Sequence, residues 1–140
     1  MSYESFPIVA GGDIRPARFV KLSTSADFTV LEADANEVTI GIATNATQDA
    51  PIPSADGDAA EAGDQVHVNP IGSVCLLEIG SGGVTRGANV KSDGDGKGVL
   101  AATTGATAQN VGAIALESAS ENEFAKVLVV QIQKLYPALA

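Results

Sequence analysis

The residues Asp93-Gly-Asp95-Gly-Lys97-Gly98 have the types and alternation of a calcium-binding loop, with carboxylates one residue apart and glycines that let the backbone wrap an ion. An EF-hand loop completes its coordination with a bidentate Glu at the twelfth position. Counted from Asp93 that position is Thr104, and Lys97 places an ammonium where a ligand oxygen is needed. A hairpin turn of the Asp-Gly type explains the same residues without an ion. The surrounding stretch, Gly80 to Gly98, is the most glycine-dense of the chain and invites a phosphate-binding reading. It fails at named positions. In a Walker A loop the Gly-Lys pair is followed by Ser or Thr, but Gly96-Lys97 is followed by Gly98, and Lys91 stands where the first glycine should be. The dinucleotide fingerprint lacks its third glycine after Gly80 and Gly82, and no helix is expected to follow. No cofactor is expected.

His67 and Cys75 are the single histidine and the single cysteine. Metal sites built from several histidines, Cys–His zinc clusters and an intrachain disulfide are therefore excluded. Cys75 lies in the apolar run Val74-Cys-Leu-Leu77 and reads as a small buried hydrophobe. His67 lies in Gln65-Val-His-Val-Asn69, whose alternation turns Val66 and Val68 inward and the imidazole outward. No Gly-x-Ser-x-Gly elbow exists to supply a nucleophile for a triad. Carboxylates are plentiful between Asp49 and Asp64, but abundance in one loop is not a preorganised acid–base pair. Asn45-Ala-Thr47 matches a glycosylation sequon by chance. The expectation is a protein that is not an enzyme and holds no metal.

The chain has 140 residues, 8 basic and 17 acidic, for a net charge of −9. No Lys or Arg occurs between Lys21 and Arg86, an interval that carries acidic residues from Asp27 to Glu78. A face built from that interval repels phosphates, so nucleic acid is not an expected partner. The N-terminus lacks a basic region followed by an apolar core, and no apolar run approaches the roughly 20 residues of a membrane span. The expectation is a soluble, cytoplasmically made protein without a membrane partner. Apolar content is rich in Ala and poor in aromatics, which predicts a thin core and favours self-association.

Short β-branched or aromatic segments separated by turn residues predict a mainly β chain. The expected strands are Arg18 to Leu22, Phe28 to Glu32, Val38 to Ala43, Gln65 to Asn69, Gly72 to Ile79, Gly98 to Ala102, Asn110 to Leu116 and Lys126 to Ile132. Residues 1–12 read as an extended arm ending in Gly11-Gly12, and 13–134 as a single β domain with a tail over 135–140. Asp49 to Asp64 reads as an acidic surface loop, with room for one helical turn at Ala59 to Ala62.

A shift of about seventy residues superposes the chain on itself. Gly12 to Lys21 lies over Gly83 to Lys91 with one residue dropped, placing Arg15 on Arg86. Ile40-Gly-Ile-Ala43 lies over Val111-Gly-Ala-Ile-Ala115, and Gln65 to Asn69 over Lys126 to Val130. The units span about 12–69 and 83–130, with the acidic loop 49–64 inserted in the first only. Two degenerate β repeats predict a small β-barrel or β-sandwich, β-tulip-like in outline.

The pattern resembles the capsid decoration (cement) proteins of tailed bacteriophages. The resemblance rests on the opening Gly12-x-x-x-x-Ala17-Arg-Phe-Val-Lys-Leu22, Ile40-Gly-Ile-Ala43 and Gly63-Asp-x-Val66-x-Val68. It continues through Gly83-Val-Thr-x-Gly-Ala88, Ser92-Asp93 and Val111-Gly-x-x-Ala115-Leu-Glu-Ser-Ala119, and covers most of residues 12 to 131. It implies a non-catalytic structural protein of the virion, usually a homotrimer, on the outer capsid surface. There it would staple adjacent subunits of the major capsid protein against the pressure of packaged DNA. The N-terminal segment would order on the shell, which singles out Tyr3, Phe6, Pro7, Ile8 and Val9. Arg15 and Arg18 read either as solvated strand ends or as cations paired across a subunit or capsid interface. An alternative is a non-catalytic surface or carbohydrate-binding β module of a larger assembly, a carbohydrate binder acting through Tyr3, Phe124 or Tyr136.

Overall fold

The computed structural model describes residues 8–44, 59–103 and 108–135, and every regular element among them is a β-strand. The strands are β1 (Val9–Ala10), β2 (Phe19–Leu22), β3 (Thr29–Glu32), β4 (Gly41–Ala43), β5 (Val68–Pro70), β6 (Val74–Glu78), β7 (Asn89–Ser92), β8 (Gly98–Leu100), β9 (Ala108–Ala115) and β10 (Phe124–Leu135). They form two five-stranded sheets, ordered β1-β3-β2-β4-β5 and β6-β10-β9-β7-β8. Isolated bridges join the edges of each sheet. Val9 reaches Gln65, just ahead of β5, and Ile79, just past β6, reaches Gly98 of β8. The expected mainly β fold, a small β-barrel or β-sandwich, is what the chain builds.

The repeat is present and longer than the sequence match. Read in reverse, the second sheet runs β8-β7-β9-β10, matching β3-β2-β4-β5 of the first. The registers agree: Val20 pairs with Glu32 and Leu22 with Val30, as Val90 pairs with Leu100 and Ser92 with Gly98. Val20 also faces Gly41 as Val90 faces Ala113, and Ala43 faces Val68 as Ala115 faces Val127. Beyond the matched segments, the Ala10 carbonyl accepts from Gly63 N while Ala10 N donates to Asp64. Ile79 makes the same two bonds with Asn122 and Glu123. The two halves therefore correspond from Ile8 and Leu77 onward.

These registers correct the alignment made from sequence. Ile14 bridges Ala60 as Val84 bridges Ala119. From that point to Lys21 and Lys91 the offset is constant, so Arg15 corresponds to Thr85, not Arg86. The difference in length falls earlier, between Gly80 and Val84. The acidic insertion is also shorter than expected. Ala59 and Ala60 are buried, no helical turn forms there, and Glu61 to Asp64 repeats the turn of Ser120 to Glu123: Glu61 N donates to Asp64 as Ser120 N donates to Glu123. The rest of the loop, 49–58, lies outside the described residues.

Alternation along the strands divides the interior into two cores. Ala10, Ile14, Val20, Val30, Ala43 and Val66 fill the first unit. Ile79, Val84, Val90, Ala115, Ala125 and Val127 fill the second. Phe19 and Ile42 face the opposite way from their neighbours Val20 and Ala43, and they join the second core. Strands β2 and β4 are thus apolar on both faces because the second unit covers the outside of the first. Phe19 fits because residue 112 is glycine: a Cβ there would lie 2.6 Å from Phe19 Cε1 and 2.5 Å from Thr39 Oγ1. As expected, His67 is exposed and Val66 buried. The C-terminal strand runs further in both directions than its apolar core, with a register shift between Val129 and Ile132.

Phe19→Ala should lower unfolding free energy by about 3–5 kcal/mol in urea titrations, because it empties the space between the units. Gly112→Ala should lower it by about 1–3 kcal/mol through overpacking, and the loss should shrink in a Phe19→Leu background.

Candidate functional site

The charged residues singled out from sequence converge on the junction between the units. Arg18 immediately precedes β2 and is only 6% exposed. Its Nη2 lies 3.1 Å from Glu78 Oε2 and its Nη1 donates to the Asp95 carbonyl at 2.8 Å. Lys97 Nζ reaches the same Glu78 oxygen at 3.2 Å. Arg15 forks onto Glu32, with Nε and Nη2 at 3.1 and 2.9 Å, while its own backbone N–H donates to that carboxylate at 2.6 Å. Hydrogen bonding to Glu32 raises the Arg15 pKa further above its ordinary value. Asp95 stands 3.7 Å beyond. The carboxylates that balance both arginines therefore belong to this chain. Lys21 is held likewise by Glu37 at 2.7 Å and Asp34 at 3.2 Å. The hydrogen bond from Lys21 draws the Asp34 carboxyl below its usual range.

The Asp93–Lys97 segment is the hairpin turn expected between β7 and β8. Asp93 Oδ1 accepts from the backbone N–H groups of Asp95 at 2.8 Å and Lys97 at 2.9 Å, so this carboxylate oxygen organises the turn. Gly96 takes a positive φ of 78° and its carbonyl accepts from Phe19 N at 2.8 Å. Only glycine adopts that conformation without strain, and a Cβ would press on the Phe19 carbonyl at 3.2 Å. The glycine-rich stretch is a clasp between the units.

His67 and Cys75 line one shallow cleft with Thr44, Asn69 and Lys126. Burial pushes the Cys75 thiol up to about 11, which leaves it protonated near neutrality and a poor nucleophile. Among the described residues, no group of three or more His, Cys, Asp or Glu is placed to hold a metal ion.

Of the N-terminal residues, Tyr3, Phe6 and Pro7 lie outside the described residues. Ile8 is half-buried against the first core, and Val9 pairs with Thr29 in parallel register. The chain from Ile8 onward is thus docked on its own domain, which the sequence could not decide. Phe124, at the start of β10, is exposed, and Tyr136 lies outside the described residues. Sequence reasoning missed a set of apolar side chains left on the surface, including Leu22, Phe28, Val38, Val74, Leu100 and Leu116. Their signal lies in the repeat: Leu22 is apolar where its counterpart Ser92 is polar, and Leu100 where its counterpart Glu32 is acidic.

No family model matches the chain, and no curated protein matches it. Among solved structures it is similar to the N base of the head fiber protein gp8.5 of bacteriophage phi29. The TM-score is 0.63 at 18% identity, over 92% of this chain and 97% of that one. The two share a fold.

Glu78→Gln should destabilise by about 3 kcal/mol, since it strands Arg18 without its counter-charge. Combining it with Arg18→Met should recover most of the loss in a double-mutant cycle. Cys75 in the folded protein should react with iodoacetamide at pH 8 on the order of 100-fold more slowly than after unfolding in urea.

Proposed function

We propose that this protein is a structural component of a phage head: a decoration or cement protein that binds the outer capsid surface and staples adjacent major capsid protein subunits. The observation that supports this best is the fold shared with the phi29 head fiber base along nearly the full length of both chains. The sequence resemblance to decoration proteins, drawn independently, leads to the same kind of particle. On this reading the protein works without catalysis, as a homotrimer, by burying surface against several capsid subunits at once, so that modest contacts sum. Its site of action is the virion, after assembly in the host cytoplasm.

The N-terminal residues supply the capsid contact. Ile8 to Ala10 are fastened between β3 and the Gly63–Val66 segment, so whatever Tyr3, Phe6 and Pro7 grip is tied directly into the first barrel. A deletion that tests the contact must stop before Ile8, because removing residues up to Ala10 would also remove β1.

Purified full-length protein should saturate mature capsids of its own phage in a cosedimentation assay. A variant lacking residues 1–7 should keep its thermal midpoint and lose at least tenfold in capsid affinity. Failure of the full-length chain to bind would reject the decoration role. Undiminished binding by the truncated chain would reject only the N-terminal contact.

A further inference from the structure

The correspondence between the halves assigns a counterpart to each side of the internal junction. On the first unit, the Asp93–Lys97 turn rests against Arg15, Arg18, Phe19 and Ala33. Their counterparts in the second unit are Thr85, Ala88, Asn89 and Ala101, and these four line an open surface cleft of about 520 Å³ together with Leu100. The counterpart of the turn is Ser23 to Thr29, between β2 and β3. In it Phe28 occupies the place of Gly96, since Thr29-Val30 corresponds to Lys97-Gly98 by register.

We propose that this cleft receives the Phe28 turn of a second copy of the chain. Copies then associate head to tail, repeating between chains the contact that joins the two units within one chain. The inference deepens the self-association part of the functional reading, and it rests on that part alone and not on capsid binding.

The residue exchanges between the two sockets are complementary in volume. Inside the chain, two arginines fill the socket and the turn presents a glycine. In the open socket Arg15 and Arg18 are replaced by Thr85 and Ala88, and the turn presents a phenylalanine. The ring of Phe28 thus has the volume that the smaller side chains vacate. Phe28 is 61% exposed and holds a φ of 50°, close to the positive φ of Gly96. A bulky aromatic in the left-handed region is strained, where the counterpart turn carries glycine. Charge agrees as well: Asp27 precedes Phe28, and the exposed Arg86 sits between the cleft residues Thr85 and Gly87, as Asp95 faces Arg15 and Arg18 in the internal junction. An interface of this kind is heterologous, because each copy offers two different faces.

Two variants and their mixture test this. Phe28→Gly removes the knob and suits the positive φ. Leu100→Asp places a charge in the cleft at an exposed strand position. By light scattering after size exclusion, the wild-type chain should be an oligomer and each variant alone a monomer. Mixed in equal amounts, the two variants should form a one-to-one heterodimer by native mass spectrometry, because one intact knob and one intact cleft remain between them. A monomeric wild type at its highest soluble concentration would overturn the proposal. So would variants that assemble as the wild type does, or a mixture that forms no heterodimer. Circular dichroism melts confirm folding of both variants. Capsid cosedimentation of the monomeric variants then separates a failure of self-association from a failure of the capsid reading.

Discussion

The contact between Phe19 and Gly112 is what allows two small β units to become one molecule. Each unit alone has a core of a few Val, Ile and Ala side chains, too little apolar area for an independent domain of comfortable stability. Turning Phe19 and Ile42 away from the first interior and into the second gives β2 and β4 two buried faces. The missing side chain at position 112 lets the aromatic ring approach the β9 backbone. Remove either member of the pair and the units lose their shared apolar seam, leaving mostly the polar contacts around it.

Those polar contacts set the geometry of the seam. Arg18 cannot remain buried without Glu78 and the Asp95 carbonyl, and those acceptors sit on the second unit. Asn36 of the first unit exchanges three hydrogen bonds with the start of β9, to Ala108 and Asn110. A hydrophobic contact is tolerant of rotation; a fork of hydrogen bonds to a backbone carbonyl and a carboxylate is not. The combination holds the units in a single orientation, and that orientation decides which surfaces remain outside.

Much of the fold could be read from the sequence because short β-branched segments and turn residues recur in the same order twice. The alternation at Val66-His67-Val68 correctly turned Val66 in and His67 out, although the strand itself starts only at Val68. Asn89–Ser92 was not among the expected strands, since Asn-Val-Lys-Ser carries little strand signal of its own. The errors have physical causes. Matching Arg15 to Arg86 used side-chain identity, whereas the repeat is kept by the backbone bridges at Ile14 and Val84. Ala59 and Ala60 were hidden by acidic neighbours, and only their bonds to Ile14 show that they belong to the framework. The clasp of Arg15 and Arg18 was illegible because its partners Glu78 and Asp95 lie some sixty to eighty positions away along the chain.

The placement of β1 has a mechanical consequence. Val9 and Ala10 are bonded on one side to β3 in parallel and on the other to the Gly63–Val66 segment. A pull on the chain ahead of Ile8 runs along the axis of this strand, so the bonds on both flanks are loaded together in shear instead of opening one at a time from an end. Tension entering through the N-terminus is shared by two neighbouring segments before any single bond gives way. A short strand set between two others acts as a strain relief for the first unit.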